Sequence, residues 1–395
     1  MTKGSRQMIF RTTILSLTLA GATLWAQPGR GPAVRSPEVS PDGKITFRLL
    51  APNAREVAVT GIGQPLAMRK DDQGVWSAAT EALQPDLYTY VFSVDGATFN
   101  DPGNPLFKTA YGSAGQSMVR VPGPAVWNPG DGPHGAVTHY IYRSALIGDD
   151  RDYYVYTPPT YDSHRKQPYP VLFLLHGLGD DASTWLNVGA ANIILDNLIN
   201  QGKAKPMIMV NTLGYGTPGG PRTAMEPAMI PAFAKALVEE VLPRVEKDYH
   251  AAKDRNHHAI AGLSMGGAES LYTGLTYMDR FAYIGSFSGA FVMWPRANPA
   301  PPQPSGPARG GRGPQRMDDA DFAKTFPNLT SKTTSQLRLL WIACGLDDGL
   351  NPVNRQFKAW LKSKDVQFTD LEIPGYAHVW PLWRRNLAEL APLLF

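Results

Sequence analysis

"AIAGLSMGGAESL", residues 259–271, decides how the rest of the chain is read. A run of small apolar residues breaks at Gly262, sets Ser264 inside Gly262-Leu263-Ser264-Met265-Gly266, and resumes as a helix-like stretch from about Gly266. This matches G-x-S-x-G, in which a sharp turn from strand to helix lifts a serine hydroxyl above a sheet. Glycine suits that turn because it has no Cβ to clash. At the helix mouth, the dipole and the free N–H groups favour a developing negative charge. The same pattern also occurs as a glycine-rich turn with a spectator serine, so its meaning depends on the other residues supplied.

A serine hydroxyl needs a base, and the base needs a carboxylate to orient it. In an α/β-hydrolase the chain order is Ser, then Asp or Glu, then His. Of the eight histidines, at 134, 139, 164, 176, 250, 257, 258 and 378, only His378 follows Ser264. It stands in "IPGYAHVWPLW" (373–383), a loop expected between a strand and the terminal helix. For the acid, Glu269 and Asp279 are too close to the nucleophile helix, and Asp318, Asp319 and Asp321 lie beside an irregular segment. "LRLLWIACGLDDGLN" (337–351) places Asp347 and Asp348 just past an apolar strand, and spacing alone does not choose between them. An oxyanion hole requires two backbone donors. Met265 N–H follows the nucleophile, and Leu178 N–H in "LLHGLGDD" (174–181) is the second candidate, with Gly177 and Gly179 permitting close approach. His176, which precedes Ser264, is expected to hold that loop rather than to move protons. No metal-ligand spacing appears among the histidines, so no metal or other cofactor is expected.

The 395 residues are 43% hydrophobic and 18% charged, enough for two globular domains. Lys3, Arg6 and Arg11 precede an uncharged stretch, Ile14 to Trp25, and then Ala26-Gln27-Pro28. That reads as a signal peptide over 1–26; the apolar part is short of the roughly 20 residues a membrane span needs. The expectation is a secreted or periplasmic protein with no membrane contact after cleavage. The formal charge is +4, and those three residues supply most of it, so nothing points to nucleic acid. The lone Cys344 excludes an internal disulfide and reads as a small buried side chain.

After a Pro/Gly/Arg lead-in at 27–37, residues 38–122 show short alternating runs separated by turn residues. "KITFRLL", "EVAVTG", "GVWSAAT", "LYTYVFSVDG" and "SMVRVP" predict a small all-β sandwich. A Pro/Gly-rich linker follows at 123–137. From 138 to 395, apolar runs such as "YPVLFLLHG", "PMIMVNT" and "HHAIAG" alternate with helical patterns, which predicts a mostly parallel sheet covered by helices on both faces. "PPQPSGPARGGRGPQR", 301–316, has no apolar periodicity and reads as an insertion, either a solvated loop or a lid over the serine.

"YVYTPPTYD", "YPVLFLLHGLGDDASTW", "AIAGLSMGGAESL", "WIACGLDDGLN" and "GYAHVWPLWRRNL" together resemble the esterase D-like α/β-hydrolases of carbohydrate esterase family 1. That family includes feruloyl and acetyl xylan esterases. Its C-G-x-x-D pattern selects Asp348 as the acid, and its G-x-x-H segment matches His378. "TFRLLAPNAREVAV", "KDDQGVWSAAT" and "NDPGNP" resemble carbohydrate-binding module family 48. The resemblance implies a serine esterase using Ser264, His378 and Asp348 on feruloylated or acetylated xylan, with no obligatory protein partner. An acetyl xylan esterase, an enterochelin-type siderophore esterase and a non-catalytic glycan-binding protein are the alternatives. Trp294 and Trp380 are candidate substrate contacts, while Trp383 is expected to pack the terminal helix. Trp76 and Tyr90 either stack on sugar or fill the sandwich core.

Overall fold

The computed structural model describes residues 34–111, 115–220, 228–297 and 317–395. The expected export segment 1–26, most of the lead-in and the 301–316 insertion lie outside the described residues.

Period-two burial builds the N-terminal part. Ile45–Leu50 buries Ile45 and Phe47, and Val57–Thr60 buries Val57 and Val59, each alternating with partly exposed neighbours. One sheet orders Glu38–Val39, Ile45–Leu50, Val75–Ala79 and Arg69–Lys70. The other orders Leu66–Ala67, Val57–Thr60, Asp86–Val94, Gln116–Val121 and Phe107–Lys108, with Ala97–Phe99 paired on Asp86–Val94. All five expected strands are present. The two-residue strands went unforeseen because so short a run carries no periodicity. Tyr90 is fully buried and donates its hydroxyl to Asp101 at 2.7 Å. Trp76 is nearly so, with Nε1 on the Ala51 carbonyl at 2.9 Å. Both are core residues, and neither has a free ring face for a sugar.

The second part is an eight-stranded mixed sheet. Its order is Ala136–Arg143, Asp150–Thr157, Ile208–Thr212, Val171–Leu175, His258–Leu263, Tyr283–Phe287, Leu339–Gly345 and Thr369–Ile373. The first two strands are antiparallel to their neighbours, and the remaining pairings are parallel. The strands Val171–Leu175, Ile208–Thr212, His258–Leu263 and Tyr283–Phe287 are buried at every residue. Covered on both faces, they read as unbroken apolar runs rather than alternations. Ala136–Arg143 is almost wholly exposed, with only Tyr142 buried. It begins inside the stretch read as linker, because an edge strand facing water carries little hydrophobic signal.

The expected helix over 231–249 is Met229–Ala236, a π-helical turn Leu237–Val241, and Leu242–Asp248. Pro243 has no N–H to give the preceding turn, and the widened turn lies just before it.

The two parts are packed together. Arg384, fully buried, pairs with Asp86 of the sandwich and donates to the Val188 carbonyl at 2.8 Å. Leu87 and Met118 of the sandwich cluster with Val188 and Trp380 of the larger domain.

Candidate active site

Strand register brings the site together before any side chain is considered. Leu175 pairs with Gly262, Leu263 with Phe287, Phe287 with Ala343, and Gly345 with Ile373. The loops that leave these strands therefore emerge along one edge of the sheet, carrying Gly177–Asp180, Ser264, Ser288, Asp348 and His378.

Ser264 stands between the strand His258–Leu263 and the helix Met265–Thr276 at φ 53° and ψ −114°. A non-glycine residue at positive φ is uncommon and is held only by its surroundings. Ser264 N–H donates to Phe287 O at 2.9 Å, and Ser264 O accepts from Ala290 N–H at 2.8 Å. The flanking glycines are required by close approach rather than by φ. A Cβ at Gly262 would lie 2.5 Å from Gly266 O, and one at Gly266 would lie 2.5 Å from both Leu175 O and His176 O.

Asp348 and His378 are joined by a 2.8 Å bond between Asp348 Oδ2 and His378 Nδ1. The Asp348 carboxylate is fully buried, whereas the His378 ring is about one-third open to solvent at 35%. Asp348 Oδ1 also accepts from Leu350 N–H at 2.8 Å. Burial pushes the Asp348 carboxyl up, but the bonds from His378, Leu350 and Ser288 outweigh it and hold it below the usual range. Asp347 is exposed. Ser288, at φ 50°, accepts from Trp383 Nε1 at 3.2 Å, and the Trp383 ring meets His378 edge-on at 4.8 Å. Sequence reading missed Ser288; "SFSG" resembles any strand end, and its left-handed backbone carries no side-chain signal.

On the other side of Ser264, His176 is fully buried and fixed by two bonds. Gly214 N–H donates to Nε2 at 2.9 Å, which leaves Nδ1 as the donor to Gly177 O at 2.8 Å. Burial pushes the His176 pKa down, so the ring is neutral. Asp180 N–H also reaches Gly177 O at 3.2 Å. With that carbonyl held, a planar trans peptide sends Leu178 N–H the opposite way. A Cβ at Gly177 would lie 3.5 Å from Ser264 Cβ, so this loop borders the serine. Met265 opens its helix, and its N–H is one of the donors a helix start leaves unpaired.

The other candidates go elsewhere. Trp294 is 2% exposed, donates Nε1 to Ala268 O at 3.0 Å, and is enclosed by Phe291, Phe326 and Phe357. The expectation that it contacts substrate is corrected. The turn Phe291–Met293 carries the indole down among the helices beneath the site, where its area is buried in aromatic packing. Trp380 is half-buried beside Trp185 and Trp383, two residues from His378. Asp318 and Asp321 form a capping box for the helix Asp319–Thr325. Glu269 is buried with neither carboxyl oxygen bonded, and burial raises its pKa well above the usual range. A Cβ at Gly214 would lie 2.9 Å from Glu269 Oε2, so this acid faces the Gly214 loop. Among the described residues no group of three His, Cys, Asp or Glu is placed to hold a metal ion.

An elbow serine, a buried acid–histidine pair and an eight-stranded sheet of this order define an α/β-hydrolase. The family model described as "Putative esterase" matches residues 144–392, and the chain belongs to this family of carboxylic ester hydrolases. An "Endo-1,4-beta-xylanase/feruloyl esterase" from Xylanibacter ruminicola is 30% identical over 386 residues, covering 93% of this chain and 47% of the relative. The chain thus spans about half the length of that protein. A ferulic acid esterase from Anaeromyces mucronatus shares the fold at TM-score 0.55 and 24% identity, over 68% of this chain and 93% of that one. The enterobactin esterase of Shigella flexneri does so at TM-score 0.60 and 19% identity, over 95% of this chain and 98% of that one.

Proposed function

We propose that the protein is an exported serine esterase that cleaves ester-linked acyl groups from plant cell-wall polysaccharide, with ferulate on arabinoxylan as the preferred substrate. The observation that carries the mechanism is the bond from His378 Nδ1 to the buried Asp348 carboxylate, on the same sheet edge as the strained Ser264 elbow. Asp348 fixes the imidazole with its Nε2 lone pair available as base. Ser264 Oγ attacks the ester carbonyl carbon, and its proton passes to His378. The oxyanion is held by Leu178 and Met265 N–H groups. As the carbonyl re-forms and the bond to the sugar oxygen breaks, His378 gives its proton to that oxygen, releasing the sugar hydroxyl and leaving an acyl-serine. Water, deprotonated by His378, then attacks that acyl carbon; the acid leaves and Ser264 regains its proton.

Support for the acyl group comes from the Xylanibacter ruminicola relative, whose name carries both xylanase and feruloyl esterase and whose similarity includes the sandwich region. A siderophore-ester reading draws on one observation, that the enterobactin esterase fold covers both parts of this chain. Ferulate release from feruloylated arabinoxylan oligosaccharides, measured for wild type and Ser264→Ala, tests the proposal. The wild type is expected to release ferulate and the variant to release none. Cleavage of enterobactin but not of the feruloylated oligosaccharide would move the assignment to the siderophore ester.

A further inference from the structure

The sandwich reaches the site through one short segment. The strand Phe107–Lys108 is anchored in its sheet by pairing with Gln116–Ser117. Lys108 Nζ lies 2.6 Å from Asp180 Oδ1, with both side chains largely buried. Three residues on, Tyr111 N–H donates to Gly179 O at 2.9 Å. The Tyr111 ring rests on Tyr215, at 5.0 Å between centroids. The Tyr215 hydroxyl accepts from Gly179 N–H at 2.9 Å and donates to Asp180 O at 2.8 Å. Between them, Thr109 Oγ1 meets Ser183 Oγ at 3.1 Å. Residues 179 to 183 are therefore tied to the sandwich at three places.

Asp180 matters electrically as well as mechanically. Its Oδ2 lies 3.5 Å from the point a Gly177 Cβ would occupy, and Ser264 Cβ lies 3.5 Å from that same point. Asp180 Oδ2 is thus within about 7 Å of Ser264 Cβ, and a carboxylate at that range opposes the growth of negative charge on an attacked carbonyl, the more so in a low-dielectric site. The ammonium that neutralises it belongs to the other domain.

We infer that the N-terminal sandwich is a working part of the active site, with Lys108 acting as a positioning residue that pins the Gly177–Asp180 loop and cancels the Asp180 charge beside the oxyanion. The inference rests on the esterase reading of Ser264 and Leu178. A module whose only task is to bind glycan has no need of this contact, and truncating it would lower turnover on small soluble esters too.

The test uses the full chain with Lys108→Met, Lys108→Arg and the double variant Lys108→Met/Asp180→Asn, assayed on a small ester such as p-nitrophenyl acetate. Lys108→Met is expected to lower kcat about 30-fold with KM changed less than about twofold, part of the loss of a whole oxyanion donor. Lys108→Arg should recover most of it. Adding Asp180→Asn to Lys108→Met should also raise kcat, because the neutral amide no longer repels the oxyanion. Amide hydrogen exchange across 177–183 should quicken in Lys108→Met more than elsewhere in the chain, and the melting temperature lost by leaving Asp180 buried without its cation should be regained when Asp180→Asn is added. Wild-type kcat in Lys108→Met, a loss confined to KM, or unchanged exchange in that loop would overturn the inference. If wild type cleaves no ester, the esterase reading fails, and the exchange measurement still decides whether Lys108 holds the loop.

Discussion

Asp347 and Asp348 are neighbours in sequence and opposites in circumstance. One is exposed; the other is buried, accepts from His378 and Leu350, and is held below the usual carboxylate range despite its burial. Asp348→Asn should leave the imidazole in place with its tautomer wrong, lowering kcat roughly 10⁴-fold. Asp347→Asn should stay within about twofold, since an exposed side chain away from special contacts has little to lose. Steady-state kinetics on one small ester compares both. Spacing could not separate the two aspartates, because which one turns inward is set by the backbone after Gly345. Ser264 and His378 were legible for a different reason: a G-x-S-x-G turn and a single downstream histidine leave few alternatives. Trp294 was misread because tryptophan in a loop near a site looks the same in sequence whether it lines a pocket or fills a core.

At the scale of elements, apolar run length carried most of the information. The inner strands of the larger sheet could be placed from it, while the exposed edge strand Ala136–Arg143 could not. The helix Asn351–Ser363 is bound to the strand Thr369–Ile373 by charge as well as by packing. Arg355 and Lys358 both reach Glu372, Arg355 Nε at 2.9 Å and Lys358 Nζ at 2.7 Å. The Arg355 bond foremost, aided by Lys358, lowers the Glu372 carboxyl from 4.5 to about 2. A carboxylate with a depressed folded-state pKa adds stability that is complete above 4.5 and is lost as pH falls towards 2. Glu372→Gln should therefore lower the urea midpoint at neutral pH, and the gap between wild type and variant should close as pH is brought down through that window. A gap that stays constant would show that the ion pairs contribute nothing through protonation.

At the scale of the molecule, the sequence separated two textures at a Pro/Gly-rich stretch but gave no sign of how tightly the parts join. That junction is built from residues far apart in the chain, Asp86 with Arg384 and Lys108 with Asp180, and no local pattern marks such pairs. Asp86→Ala would leave the Arg384 guanidinium buried without its carboxylate, at a cost of about 3–5 kcal/mol. Urea unfolding should show that loss; a loss below about 1 kcal/mol would mean that the junction is held by its apolar contacts alone.

The whole mechanism turns on Ser264 as the nucleophile. Treating the protein with an alkyl fluorophosphonate and mapping the adduct by peptide mass spectrometry tests it directly: serine oxygen bonds to phosphorus and fluoride leaves. One phosphonyl group per chain on Ser264, formed in step with loss of esterase activity, is the predicted result. An unmodified Ser264 in protein whose esterase activity has been lost to the reagent would contradict it.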